Sequence, residues 1–395
     1  MARLTQWVPA LLFLGLLGCE DQRLAPRLGS RIAGPSFSTQ PAFSCPAATA
    51  TVTDEAGLLT ALASASSGAV IAVQGMIGVS ADVFITTDNV TLTCATPGSG
   101  LFAGSPAVDF VLQVHAANVV VDGLVLDATG TFDGPYLADL SAAGLPPLNA
   151  RFSHNTVTCG LGECVFFSGA TGAVVTDNTF TSPGPAGTQT GIQMQGAGPT
   201  LLTFPIDGSL IQRNTVVTTA PCTLFFFGGI RPIGGSGVTI SDNVIRGPWC
   251  SGVSASIITA SVIRDNRFEG AAVNGIEFGR GAGGVPEFIR ARDNVVRNNI
   301  ATGAGTAGFF AMRACSNTLV GNNLSGNAGD TGALFARTSG ANTLVGDGTI
   351  VVDDGAQDCD GDGVADPNII TGPGRVRTGV PLGETVSDAV SGKKS

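Results

Sequence analysis

One arrangement of polar and apolar positions returns along most of this chain. "TISDNVIRG" occupies residues 239–247 and "VIRDNRFEG" residues 262–270, with Asn243 and Asn266 at matching places. The same shape is found in "FSHNTVTC" (152–159), "VTDNTFTS" (175–182), "IQRNTVVT" (211–218), "ARDNVVRN" (291–298), "CSNTLVGN" (315–322) and "GANTLVGD" (340–347). An apolar residue stands two places after the Asn (Val157, Phe180, Val216, Ile245, Phe268, Val296) and often three before it (Phe152, Val175, Ile211, Ile240, Ile263). Inward positions of one straight strand lie an even number apart. These lie five apart, so the chain turns between them. Asn is read as the corner because it tolerates the left-handed conformation, and the Asp before it points outward.

Asn155 to Asn178, Asn243 to Asn266 and Asn294 to Asn317 each span twenty-three residues, and other intervals are longer, as if a coil carried an insertion. A period of this size marks a solenoid. Stacked coils place Asn above Asn, where the amides can hydrogen-bond in a ladder. Ahead of the coils, "DEAGLLTALASASSGAVIAVQG" (54–75) predicts a helix with Leu58, Leu59, Leu62 and Ala65 on one face, then a strand. Gly- and Pro-rich insertions at about 130–150, 183–207, 219–237 and 280–288 map to loops that line a binding face or merely decorate the turns.

The period, the Asn corners and the β-branched strands of residues 50–352 resemble the right-handed parallel β-helix family, which includes pectate lyases and polygalacturonases. The resemblance implies an all-β, right-handed parallel β-helix solenoid with an N-terminal helix capping the open end of the tube. The expected layout is a signal peptide at 1–18, a tether at 19–44, the β-helix at 45–352 and a C-terminal segment at 353–395.

The first residues change the compartment. "MARLTQWVPALLFLGLLGC" has one early Arg and an apolar run from Trp7 to Leu17, too short to span a bilayer and suited to a signal-peptide core. "LLGC" resembles a bacterial lipobox, which implies a lipid on Cys19, a membrane partner and placement in the cell envelope; the alternative is an ordinary signal peptide. Eight further cysteines in an exported chain imply disulfides, with 105 possible connectivities. Charged residues are only 13% and the net charge is −10. Both lysines, Lys393 and Lys394, lie in the last three residues. No basic patch points to nucleic acid.

"DCDGDGVAD" (358–366) carries metal chemistry. Asp358, Asp360 and Asp362 can converge because Gly361 and Gly363 permit a tight loop; Val364 adds a carbonyl and Asp366 a last ligand. Calcium takes such oxygen cages. The stretch resembles the calcium loops of thrombospondin type 3 repeats, with a structural role implied; the alternative is a solvated acidic turn.

Catalytic motifs are sparse. Polygalacturonase-like members carry N-x-D, D-D, G-H-G and R-x-K. This chain has no G-H-G, no lysine for R-x-K inside the tube, and one D-D pair at Asp353–Asp354 beside the acidic loop. The lyase members use an Arg or Lys base, of which only Arg is available. His115 and His154 are the only histidines, and His154 occupies the corner position held by Asp elsewhere. Arg280, Arg313 and Arg337 each stand five residues after a Gly in successive coils, with Arg231 at a similar strand end. Arg favours bidentate contact with carboxylate or sulfate. The column suits an acidic polysaccharide, with Glu277 beside it; alternatively it is a surface ladder paired with Glu277 or Asp330. The expectation is an envelope-anchored protein that binds or remodels acidic polysaccharide, with a polysaccharide lyase or glycoside hydrolase of non-standard site as the alternative.

Overall fold

Copies of the repeat fold into two short strands with a two-residue corner between them. Thr239–Ser241 and Val244–Arg246 flank Asp242 and Asn243; Val262–Arg264 and Arg267–Glu269 flank Asp265 and Asn266. The computed structural model describes residues 43–138, 148–182, 190–197, 201–222, 228–279, 291–336 and 338–377. Strands of successive coils pair only in parallel, so the fold is an all-β parallel β-helix. Sheet A has 13 strands, running from Ala50–Val52 to Ile369–Thr371, and sheet B has nine, from Met76–Val79 to Ile300–Thr302. Sheet C contains the longest strands, Gly228–Ser236 and Ser251–Thr259.

The inward positions form rows. Ile211, Ile240, Ile263 and Val296 stack in sheet A, and Val216, Ile245, Phe268 and Ala301 in sheet B, all buried. Burial of such side chains contributes about 1.5–3 kcal/mol each. Gly229 and Gly252 allow the sheet C strands to reach this interior. A Cβ on them would come within 2.4 Å of Ile245 and 2.6 Å of Phe268.

The corners differ from the sequence expectation in a specific way. The left-handed residue is the one before the Asn. His154, Asp177, Arg213, Asp242, Asp265 and Asp293 have φ between 53° and 61°. The Asn itself is buried and carries the ladder. Asn155, Asn178, Asn214, Asn243, Asn266, Asn299 and Asn322 are linked in sequence, each Nδ2 donating to the next Oδ1 at 2.9–3.1 Å. Each amide also donates to a backbone carbonyl, as Asn243 Nδ2 does to Ile211 at 3.0 Å. An Asp side chain, lacking N–H donors, could not do this.

There are two ladders, not one column. Asn294, Asn317, Asn342 and Asn368 form the second, at the other end of the sheet A strands. It begins where Ser261 N–H donates to Asn294 Oδ1. The in-register partner of Asn266 is therefore Asn299 rather than Asn294. One corner chemistry serves two corners of the coil, which is why the sequence copies look alike.

The leading helix is Glu55–Ala63, capped by Asp54, whose Oδ1 accepts from Gly57 N–H at 2.7 Å. It packs on the first coil. Leu58 and Leu62, one turn apart, are buried, while Leu59 is 45% exposed rather than on the inner face. At the other end, strands Ile369–Thr371 and Arg375–Arg377 pair onto Thr343–Val345 and Ile350–Asp353. Coil pairing thus continues past 352, and the acidic loop 358–366 projects from within the last coil. Four disulfides join Cys45–Cys94, Cys159–Cys164, Cys222–Cys250 and Cys315–Cys359, using all eight cysteines of the coil region. No helix among the described residues is long and apolar enough to cross a membrane.

Candidate functional site

Parallel, in-register pairing puts one residue of each coil in line on the outer face of sheet C. Gln113, Tyr136, Phe166, Gln193 and Arg231 are successive partners. The flanking pairs Ile230–Val253 and Ile233–Ser256 set Arg231 beside Ser254, and Ser254 pairs with Glu277. Beyond Glu277 the row turns apolar, through Phe310, Leu334 and Val352. A second polar row runs beside the first: Glu163 pairs with Thr190, and Ser251 with Asn274. The rows meet at Glu277, whose Oε2 accepts from Ser251 Oγ at 2.8 Å and Asn274 Nδ2 at 2.9 Å. Glu277 is fully buried in this network and is not the exposed strand-end carboxylate that the sequence suggested.

Arg231 lies between carboxylates. Its Nη1 donates to Gln193 Oε1 at 3.1 Å. Burial lowers its pKa to about 10, against the opposing charges of Glu163 and Glu277. Glu163 is the most altered acid. Burial first, then hydrogen bonding and charge from Asp133, push it up to about 9, with Arg231 pulling the other way. Glu163 thus keeps its proton at neutral pH, as expected of a buried carboxyl beside another carboxyl group. Tyr136 is raised to about 12, by burial and then by the charges of Asp133 and Glu163.

A short covalent loop builds this pair. The Cys159–Cys164 disulfide closes "CGLGEC", five residues in span. Asp133 Oδ1 accepts from Glu163 N–H at 2.7 Å. A Cβ on Gly162 would fall 1.8 Å from that same oxygen, so the loop needs glycine there. Aromatic rings stand alongside: Tyr136 and Phe166 stack at 4.8 Å, and Phe110 tilts against Tyr136 at 4.9 Å.

The sequence-derived arginine column is placed only in part. Arg280 and Arg337 lie outside the described residues, as do Cys19, the signal-peptide region and the tether up to residue 42. The strands leading to the three arginines are in register, Phe278 beside Ala311 and Ala311 beside Phe335. Arg313 has φ 52° and donates its N–H to Thr338 Oγ1 at 3.1 Å. His115 Nε2 shares a hydrogen bond with Gln113 Oε1 at 3.1 Å, and His154 Nδ1 with Asp122 Oδ1 at 2.8 Å while stacking on Phe43. Asp353 accepts from Asn368 Nδ2 at 2.8 Å and so anchors the second ladder's last member. Sequence reasoning missed Asp133, Glu163 and Thr190. The only available signal was the only Tyr, three residues after Asp133, together with a tight Cys pair ending in Glu163–Cys164.

In the acidic loop, ligand atoms of Asp358, Asp360 and Asp366 lie within 4.8 Å of one another. Asp358 accepts from Gly361 N–H at 2.7 Å and Gly363 N–H at 2.8 Å, bonds that lower its pKa. Asp362 Oδ1 instead accepts from Val364 N–H, and Asp362 is not part of that cluster. Asp366 Oδ2 accepts from Cys359 N–H at 2.8 Å, and Cys359 is tied to Cys315.

Residues 164–350 match the family described as "Right handed beta helix region". None of the curated proteins matches the chain. Among solved structures, an alginate lyase from Paenibacillus sp. is 15% identical, with 84% of this chain and 99% of that one covered at a TM-score of 0.42. The Dettilon tailspike protein is 14% identical (TM-score 0.41), and 82% of this chain spans 64% of its length, under two thirds. PfbA, a surface adhesin of Streptococcus pneumoniae, is 10% identical, with 82% and 85% covered at a TM-score of 0.47. Three parallel sheets, one rung per coil, give this chain a parallel β-helix fold, and its central coils match the right-handed β-helix family.

Proposed function

We propose that this chain holds a polysaccharide strand lengthwise on the outer face of sheet C. The observation that carries the reading is the in-register row Tyr136–Phe166–Gln193–Arg231–Ser254–Glu277, in which amide, guanidinium, hydroxyl and carboxyl groups recur on successive strands. Strand spacing of roughly 4.8 Å gives such a row a repeat comparable to one sugar residue. Arg231 supplies a guanidinium group that favours acidic sugars, and Arg280, Arg313 and Arg337 follow later in the sequence. Export through the signal peptide and a lipid on Cys19 would hold the tube in the bacterial envelope. A calcium ion in the 358–366 loop would hold the last coil, through Asp358, Asp360 and Asp366 with Asp362 and the Val364 carbonyl nearby.

A second reading, cleavage of the strand, is favoured by one observation: Glu163, buried beside Asp133, retains a proton that could be donated. A glycan array probed with the purified chain tests the first reading. Incubation with the polysaccharides that bind, followed by assays for new reducing ends and for unsaturated uronate absorbance, tests the second. Absence of binding to any polysaccharide would refute the first, and binding without product would refute the second.

A further inference from the structure

We infer that Tyr136, Phe166, Asp133, Glu163 and Thr190 form a subsite for an uncharged sugar ring, at the end of the sheet C face remote from Glu277. This rests on the polysaccharide reading and assigns the chemical class of one of its residues.

The wall of the subsite is aromatic. Tyr136 and Phe166 are in-register partners, stacked at 4.8 Å with an interplanar angle of 21°, and both remain partly exposed. A sugar ring presents C–H groups on its faces, which suit an aromatic surface. Phe132 and Leu161, 64% and 52% exposed, flank the acid pair in sequence at Asp133 and Glu163, and extend the apolar rim.

The floor is polar and incompletely bonded. Thr190 is the in-register partner of Glu163, so both side chains leave the sheet on one face. It is fully buried, and its Oγ1 has no hydrogen-bond partner. Buried hydroxyls without partners are rare in native proteins and call for an explanation such as an absent ligand. Asp133 is 5% exposed and held by the disulfide loop. The three groups offer a hydroxyl that gives or accepts, an acceptor carboxylate and, while Glu163 keeps its proton, a donor. Sugar hydroxyls both donate and accept, and meet all three.

Charge excludes an anion here. Asp133 and Glu163 set two carboxyl groups side by side. The groups facing them are Tyr136, neutral up to about pH 12, and Arg231, which lies two strands along and bonds Gln193. A carboxylate or sulfate on the ligand would meet Asp133 and Glu163 before reaching Arg231. An uncharged sugar avoids that repulsion.

The test is calorimetric binding of the full chain to neutral gluco-, manno- and galacto-oligosaccharides and to oligouronates. The expected result is that a neutral oligosaccharide binds and that Phe166→Ala weakens it tenfold or more. Thr190→Val should also weaken binding while leaving the melting temperature unchanged or raised, because the lost hydroxyl has no partner in the free protein. A merely structural threonine would behave oppositely. Wild-type affinity should fall above about pH 9, where Glu163 ionises, whereas Glu163→Gln should keep its affinity across that range. Neutral binding untouched by both Phe166→Ala and Thr190→Val would overturn the subsite and leave the polysaccharide reading standing. Binding of oligouronates alone would do the same. Failure of every glycan would overturn both.

Discussion

Asn266 Oδ1 accepts two hydrogen bonds from Asn243, the backbone N–H at 3.0 Å and the side-chain Nδ2 at 2.9 Å. Asn266 in turn donates to Asn299 Oδ1 and to the Ile240 carbonyl. Each member from Asn155 to Asn299 likewise accepts from the coil before it and donates to the Asn of the coil after it.

Asn266→Ala leaves the Asn243 N–H groups without their acceptor in a buried corner. Each unsatisfied buried group costs about 1–3 kcal/mol, so a loss of at least about 2 kcal/mol is expected. Asp293→Gly, at the left-handed position preceding Asn294, should change stability by less than about 1 kcal/mol, since glycine adopts φ 57° freely. Urea denaturation of the two variants measures the contrast. Equal losses would mean that the corner, rather than the amide ladder, carries the stability.

Glu163 should make stability fall as pH rises. An unfolded glutamate ionises near 4.5, while the folded one keeps its proton until about 9. Between those values the native state binds more protons than the unfolded state, so unfolding free energy declines with pH. The contribution is fully present below about 4.5 and lost by about 9. Glu163→Gln should flatten this part of the profile. Parallel wild-type and variant slopes in urea melts from pH 5 to 9 would refute the raised Glu163 carboxyl.

Calcium should raise the melting temperature of the wild-type chain by preferential binding to the folded state. Asp360→Asn with Asp362→Asn removes two negative charges at constant size and should abolish the rise. If the double variant still responds while Asp358→Asn with Asp366→Asn does not, the ion uses Asp358 and Asp366 without the Asp360 carboxylate.

On the lipoprotein reading, Cys19→Ser should release the chain from membranes, because it removes the thiol that would carry the lipid. Fractionation of expressing cells, with and without detergent, measures this. A variant that still needs detergent for extraction would refute anchoring at Cys19.

The sequence alone determined the tube. A repeated five-residue offset between apolar positions forces a turn in every coil, and buried amides can satisfy one another only if coils stack; both facts are local and periodic. It could not tell that Asn266 and Asn294 belong to different ladders, since "RDN" reads the same at either corner. Nor could it show that the left-handed residue precedes the Asn, because Asp and Asn both tolerate that conformation. The candidate site was the least legible part. Asp133, Glu163, Thr190 and Arg231 are spread over ninety-nine positions of sequence, separated by insertions of irregular length. Only the register of sheet C brings them to one face, and only burial there beside Asp133 raises the Glu163 carboxyl to about 9.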